Sequence, residues 1–493
     1  MITTESHPNG AGAPPRPRRK NPRRRPWLKP LILRIHFYAG LFVAPFIALA
    51  ALTGAAYALT PQLEKAVYAH ELFGSGHAGD AQLPLSAQIA AAQEYTGNAA
   101  VRAVRPAPSA ELTTRVLYPA PQDPDGGSRT VFVDPVSGEI RGELQTYTSQ
   151  GQTPLRHWLE GFHSSLHLGA VGKYYSELAA SWMGIVAAAG LFLWLWTWRQ
   201  SKRKARADMI RPARGGGKYR RARSLHLSVG AWVLLAMLFL SATGITWSGG
   251  AGANVSALRS ALSWTAPTLK TSLGGSDEAA GGAHAAHHGG AAPAQGENQW
   301  SNPAAFEQVL SLARMANIDG TELEIRPPAS AQTAWVVKET RSQAPAKADA
   351  VAIDRANGTV VDRLDFGEQN LASKLSTWGI SLHMGELFGL PNQIGLFVAA
   401  IGILVVICAG YAAWWRRRPH GTRLRESAPR FDAGWVPWWG WLITGAVAVG
   451  LGLFLPLVGW SLLAFLAADG ALHLLRRRKS GSRRDTSGAI PEP

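Results

Sequence analysis

Four uninterrupted apolar runs dictate what this chain can fold into. They are Ile35–Leu59, Leu178–Trp198, Leu225–Trp247 and Leu390–Trp415. Each has the roughly 20 residues that carry a helix across a bilayer core. A fifth apolar region, Trp435–Leu475, is about twice that length and reads as two helices turning near Pro456. Charged residues make up 17% of the chain, against about 25% in an ordinary soluble domain. The first run ends in Ala56-Tyr57-Ala58, like a signal-cleavage site. It is longer than the roughly 7–15 residues of a signal core and is read as a retained helix.

The net charge of +17 would suit nucleic acid, but its distribution argues against that partner. Residues 199–223 hold eleven Lys/Arg, whereas 61–177 hold eight and 249–382 hold ten. Arg416–Arg418, Arg476–Lys479 and the N-terminal "RPRRKNPRRR" are also dense. This is the positive-inside pattern, which puts both termini and the 199–223 loop in the cytoplasm and the two large polar segments outside. The single cysteine, Cys408, excludes structural disulfides and a thiolate cluster.

The chain reads as an internal duplication. "RIHFYAG" (34–40) matches "SLHLSVG" (224–230), and Thr53-Gly54 meets Thr243-Gly244 at the same spacing of 190. "SLHLG" (165–169) matches "SLHMG" (381–385) at a spacing of 216. The outer segments contain "TVFVDPVSGEIRGEL" (130–144) and "AVAIDRANGTVVDRL" (350–364). Both read as strand, Asp-led turn and strand. Each follows a stretch of helical periodicity, at 85–97 and 303–318. The fold class is therefore a polytopic α-helical membrane protein of about six transmembrane helices, with two periplasmic α+β modules.

The expected boundaries are a basic N-terminus at 1–30, then a helix at 31–60. An outer module at 61–177 precedes a second helix at 178–198 and a basic loop at 199–223. A third helix at 224–248 leads to the second module at 249–385 and a fourth helix at 386–415. A loop at 416–434, helices at 435–455 and 457–475, and a tail at 476–493 complete the chain.

Histidines at repeated positions are the candidate site. His36 and His226 open outward-going helices and belong near the inner face. His167 and His383 precede inward-going helices and belong near the outer face. Neutral imidazole is a good axial ligand to haem iron, and ionisable residues in membrane segments are most often functional. Two bis-histidine b-type haems are the cofactor expectation. Gly40, Gly54, Gly230 and Gly244 would let a ring approach the helices. His163 shares a helix face with His167 and is a further candidate ligand. At spacing 216, however, its counterpart is Gly379, so the repeat does not support it. His157 is a weaker candidate. With Lys173 and Glu177 present, the membrane helix is expected to start near Leu178, after a break at Gly169–Gly172. His284–His288 lie in a Gly/Ala linker and suit an adventitious metal. Asp469 and His473 stand one helical turn apart.

These features together resemble the PepSY-associated transmembrane proteins. The resemblance rests on the two helices beginning "RIHFYAG" and "SLHLSVG", the two "LH-aliphatic-G" steps and the "VDPVSGEI" hairpins, over roughly 30–418. The family includes bacterial ferric-siderophore reductases and iron-uptake factors. It thus implies haem iron on His36, His226, His167 and His383, and a periplasmic Fe(III)-siderophore as substrate. "RGGGK" in the 199–223 loop follows no strand and is rejected as a phosphate-binding loop. The electron donor is therefore expected to be external, a cytoplasmic flavoreductase or a membrane quinol. The competing readings are a non-enzymatic anchor that presents a protein or metal-siderophore, and a reductase for another acceptor such as copper.

Overall fold

The computed structural model describes residues 27–485 except 124–125, 149, 275–300, 341–348, 418–428 and 430, with the backbone alone beyond Ala471. His284–His288 and the side chain of His473 lie outside the described residues.

The first apolar run is two helices, α1 (Leu28–Phe42) and α2 (Ala44–Ala58), bent by 58°. Pro45 stands in the first turn of α2. It supplies no N–H to continue the ladder, so the helix breaks there. Short helices α3 (Thr60–Val67) and α4 (Ala69–Leu72) lead outward to α5 (Leu85–Thr96). Four strands follow: β1 (Ala103–Arg105), β2 (Thr114–Pro119), β3 (Ser128–Val133) and β4 (Ile140–Thr146). The chain returns through α6 (Pro154–Ser165), the long α7 (Gly169–Gln200) and α8 (Arg203–Ile210). The second pass runs through α9 (Lys218–Thr246), α10 (Gly250–Ala261) and α11 (Pro303–Met315). Strands β5 (Leu323–Arg326), β6 (Trp335–Glu339), β7 (Ala350–Asp354) and β8 (Thr359–Leu364) precede α12 (Leu371–His383) and α13 (Leu390–Arg417). A hairpin of α14 (Trp438–Phe454) and α15 (Pro456–Asp485) ends the described chain.

By length and apolar composition α7, α9 and α13 can cross a membrane, and the bent α1–α2 pair makes a fourth span if counted as one. The apolar parts of α14 and α15 are shorter. They pack closely at their turn, where a Cβ on Gly459 would lie 2.9 Å from the Gly452 Cα.

Outside this bundle the two modules are not separate. All eight strands form one antiparallel sheet in the order β4-β3-β2-β1-β5-β6-β7-β8. The seam is β1 against β5, with Val104 opposite Ile325. A row of apolar residues crosses it without interruption: Val131, Val116, Val104, Ile325, Val337 and Val351, each fully buried. Helices α5 and α11 cover that face, and their Ile89, Ala92, Phe306 and Val309 share one core with the row. Each half buries its apolar row only when the other half continues it.

Neighbouring residues point to the opposite face of the sheet, and there the seam is charged. Arg105 donates to Glu324 from Nε and Nη2 at 2.8 and 2.6 Å. Arg326 Nε (2.5 Å) and Lys338 Nζ (3.3 Å) reach the other Glu324 oxygen. Glu324 is 1% exposed. Burial opposes its charge, but Arg105, Lys338 and Arg326 outweigh that and hold its carboxyl well below the usual range.

The expected break between Gly169 and Gly172 lies earlier. Leu166, His167 and Gly169 take left-handed backbone, and α7 is then continuous from Gly169. Gly172 is required there, because a Cβ would meet the Ser165 carbonyl oxygen at 1.7 Å. The helix runs through Glu177 because that carboxylate is satisfied where it is buried. It accepts the Gly250 and Ala251 N–H groups at 3.0 and 3.1 Å, capping α10 from another helix. Glu177→Ala should therefore cost roughly 2 kcal/mol of stability, the range of hydrogen bonds to a charged group. Thermal unfolding of the full-length protein in detergent measures this, and an unchanged midpoint would show that the cap contributes nothing.

Candidate functional site

Two pairs of histidines are built in the same way at opposite ends of the bundle. At one end, His36 on α1 and His226 on α9 stand with ring centres 6.2 Å apart and planes at 68°. His36 Nδ1 bonds the Val186 carbonyl at 3.1 Å, and His226 Nδ1 bonds the Val406 carbonyl at 2.9 Å. A carbonyl only accepts, so Nδ1 carries the proton in both rings and Nε2 keeps its lone pair. The helices that supply the carbonyls approach closely because they carry glycine one turn later. A Cβ on Gly190 would lie 3.2 Å from His36 Cε1, and one on Gly410 would lie 3.1 Å from His226 Nδ1.

At the other end the partners are threonines. Thr53 Oγ1 donates to the Leu49 carbonyl at 2.9 Å and bonds His163 Nδ1 at 2.9 Å. Thr243 Oγ1 donates to the Phe239 carbonyl at 2.9 Å and bonds His383 Nδ1 at 2.5 Å. With its single proton committed to the helix, each hydroxyl accepts from Nδ1–H, and again Nε2 is left free. Burial pushes both imidazoles down, His383 to about 3 with His163 adding to the effect. Both are therefore neutral at physiological pH. Thr53 to His36 and Thr243 to His226 are each 17 positions, which along α9 is about 25 Å, close to the thickness of a bilayer core.

The outer pair is thus His163 and His383. His167, expected there from the match at spacing 216, stands elsewhere. It is exposed, takes left-handed backbone with φ 55°, and stacks over Trp158 and Phe162. Its Nε2 donates to the Trp158 carbonyl at 2.9 Å, so the nitrogen that is free in the other four is occupied. His157 stacks flat on Tyr147 at 3.8 Å. The contacts recur at spacing 220: His163 and His383, Val186 and Val406, Gly190 and Gly410. The left-handed Gly169 and Gly389 (φ 58° and 57°) keep that spacing too. The sequence carries this signal as Trp-x4-His, in "WLEGFH" (158–163) and "WGISLH" (378–383). Of the four glycines expected to let the haem ring approach, Gly54 packs on an imidazole, a Cβ there lying 3.2 Å from His163 Cε1, and Gly40 has nothing within 4 Å. Gly190 and Gly410, on the opposite helices, were missed.

Residues 33–417 match the family described as the PepSY-associated TM region. The chain belongs to that family. No curated protein matches it. Membership makes this a membrane protein with several apolar helices, and all four Nδ1-anchored histidines of this PepSY-associated chain fall within the matched stretch.

The donor set fits a haem iron. A metal-ligating histidine usually gives its other N–H to a carbonyl or similar acceptor, which fixes the tautomer and ring orientation. All four residues show that pattern. Imidazoles on opposite sides of one iron, with metal–nitrogen bonds of about 2 Å, have ring centres roughly 6 Å apart, and the His36–His226 separation of 6.2 Å agrees.

Proposed function

We propose that this protein is a b-type haem reductase of the bacterial inner membrane that passes electrons outward to a periplasmic Fe(III)-siderophore. The observation that carries the reading is the uniform Nδ1 anchoring of His36, His226, His163 and His383, which leaves four Nε2 atoms free in two groups at opposite ends of the bundle. In this reading the chain is an internal duplication of six spans, with its basic loops and termini cytoplasmic. The donor, a cytoplasmic flavoreductase or membrane quinol, meets the His36/His226 end.

Haem, when bound, supplies one-electron chemistry at each end. His36 and His226 would hold one group, with Val186 and Val406 orienting the rings and Gly190 and Gly410 making room. His163 and His383 would hold the other, oriented by Thr53 and Thr243. Trp182 on α7, Val233 on α9 and Val406 on α13 share one buried apolar core in the bundle, which would exclude water there. Fe(II) binds hard siderophore oxygens far less well than Fe(III), so reduction releases the metal.

The test is the absorption spectrum of the full-length protein, expressed with ample haem supply and recorded oxidised and dithionite-reduced. Two reducible b-type centres are expected. Absence of reducible bands refutes the reading.

A further inference from the structure

The basic loop between α7 and α9 is folded down against the bundle, and holding haem does not require this. Residues 199–223 hold eleven Lys/Arg and a single acid, Asp208. Arg220 pairs with Asp208 at 2.7 Å. Arg206 donates from Nε to the Trp198 carbonyl at 3.0 Å and lies over the Trp198 ring. The side chains of the other nine cations make no hydrogen bond or ion pair among the described residues.

Helix α8 does not stand off in water. The last carbonyls of a helix have no partner within it. Here the Trp194 indole of α7 donates to the Met209 carbonyl at 3.3 Å, and the Trp232 indole of α9 donates to the Ile210 carbonyl at 3.1 Å. Met209 is buried. The buried Ser224 hydroxyl donates to the Asp208 carbonyl at 2.7 Å and accepts the Ala213 N–H at 2.8 Å, which clamps α8 to α9. Trp232 lies seven residues past Leu225, where the apolar run begins, or about 10 Å along the helix. The end of α8 is therefore level with the edge of the apolar span, the depth at which indoles with one polar end collect.

The surface at this joint is apolar on one side and cationic on the other. Trp232 and, one turn further on, Leu235 are 74% and 78% exposed, and they continue from the exposed Ile210. Arg211 follows Ile210 directly, and Arg211 and Arg214 are both exposed. A soluble acidic partner would use the cations alone. Apolar side chains on a membrane span directly beside unpaired arginines match an acyl chain beneath a phosphate. The geometry points to a binding site for an anionic phospholipid, with the headgroup phosphate on Arg211 and Arg214 and an acyl chain along Ile210, Trp232 and Leu235. A phosphatidylglycerol headgroup keeps its negative charge, whereas phosphatidylcholine cancels it with a cation of its own. The site is independent of haem.

The test offers the full-length protein in mild detergent an equal mixture of phosphatidylglycerol and phosphatidylcholine with the same acyl chains. Native mass spectrometry reads the lipid retained. Phosphatidylglycerol should be favoured roughly tenfold, from two cations at the membrane surface. The Arg211→Gln/Arg214→Gln variant should lose most of that preference. Lys218→Gln/Arg221→Gln removes the same charge from the first turn of α9, away from the apolar patch, and should keep it. Inorganic phosphate at about 10 mM should not displace the lipid, because the acyl contacts are part of the site. Equal retention of the two lipids, the result expected if the loop serves an acidic protein instead, overturns the proposal. A preference that survives Arg211→Gln/Arg214→Gln also overturns it. So does an equal loss in both double variants, which is diffuse attraction to positive charge, and so does displacement by inorganic phosphate.

Discussion

Replacing His163 with alanine should halve the haem content and abolish one of the two reducible centres, while His167→Ala leaves both. The two residues are four positions apart, and their roles are separated by what each ring does with its nitrogens. His163 gives Nδ1–H to Thr53 and keeps Nε2 available. His167 spends Nε2 on the Trp158 carbonyl at the exposed surface. His383→Ala should remove the same centre as His163→Ala, and His36→Ala or His226→Ala the other. Haem-to-protein ratio and reduced-minus-oxidised spectra measure all five variants. Loss of a centre in His167→Ala with none in His163→Ala would reinstate the match at spacing 216. Thr53→Val keeps the ligand but not its anchor. It should weaken haem retention by the roughly 10–100-fold typical of outer-shell partners without abolishing binding.

Glu324→Ala should cost roughly 3–5 kcal/mol, the range for breaking a buried pair by removing one partner. The substitution leaves Arg105, Arg326 and Lys338 facing one another at the seam, with Arg105 only 8% exposed. Substituting Arg105 and Glu324 together by methionine should recover part of that loss, because the most buried of the three cations goes with the carboxylate. Unfolding of the full-length protein in detergent, with limited proteolysis of the outer modules, distinguishes the two. Equal losses in the single and double variants would show that the cost is one of packing. The folded-state pKa of Glu324 is depressed, so its contribution is fully present above the ordinary carboxylate range. It is lost as pH falls through the depressed value.

The membrane runs and strand hairpins were legible because hydrophobic length and period follow from backbone geometry alone. The inner pair was legible too, since His36 and His226 lie in a gapless match. The outer pair misled for a physical reason. The hairpins at 130–144 and 350–364 already keep a spacing of 220, and that spacing holds through Trp158/Trp378 to Gly190/Gly410. The "SLH-x-G" match breaks it by four residues, one turn if the helix continued, but α6 ends at Ser165 and His167 lies beyond it on left-handed backbone. Short identical strings outweighed a longer, sparser register. The glycine contacts with His36 and His226 were illegible for a different reason. They depend on which helices become neighbours, and α1 against α7 and α9 against α13 are set by packing across the bundle. The joining of the modules was hidden likewise, because β1 has only three residues and carries almost no pattern of its own.

The seam between β1 and β5 bears on what such a frame can transport. A solute carrier of two related halves works by rocking one against the other around a central site. Here the halves are stitched above the bundle by a shared sheet, a common core and a buried ion cluster. Rocking would have to shear all three. On the proposed haem reading, an electron needs no opening, only fixed stations at fixed separations, and a clasp over the two halves would keep those separations constant.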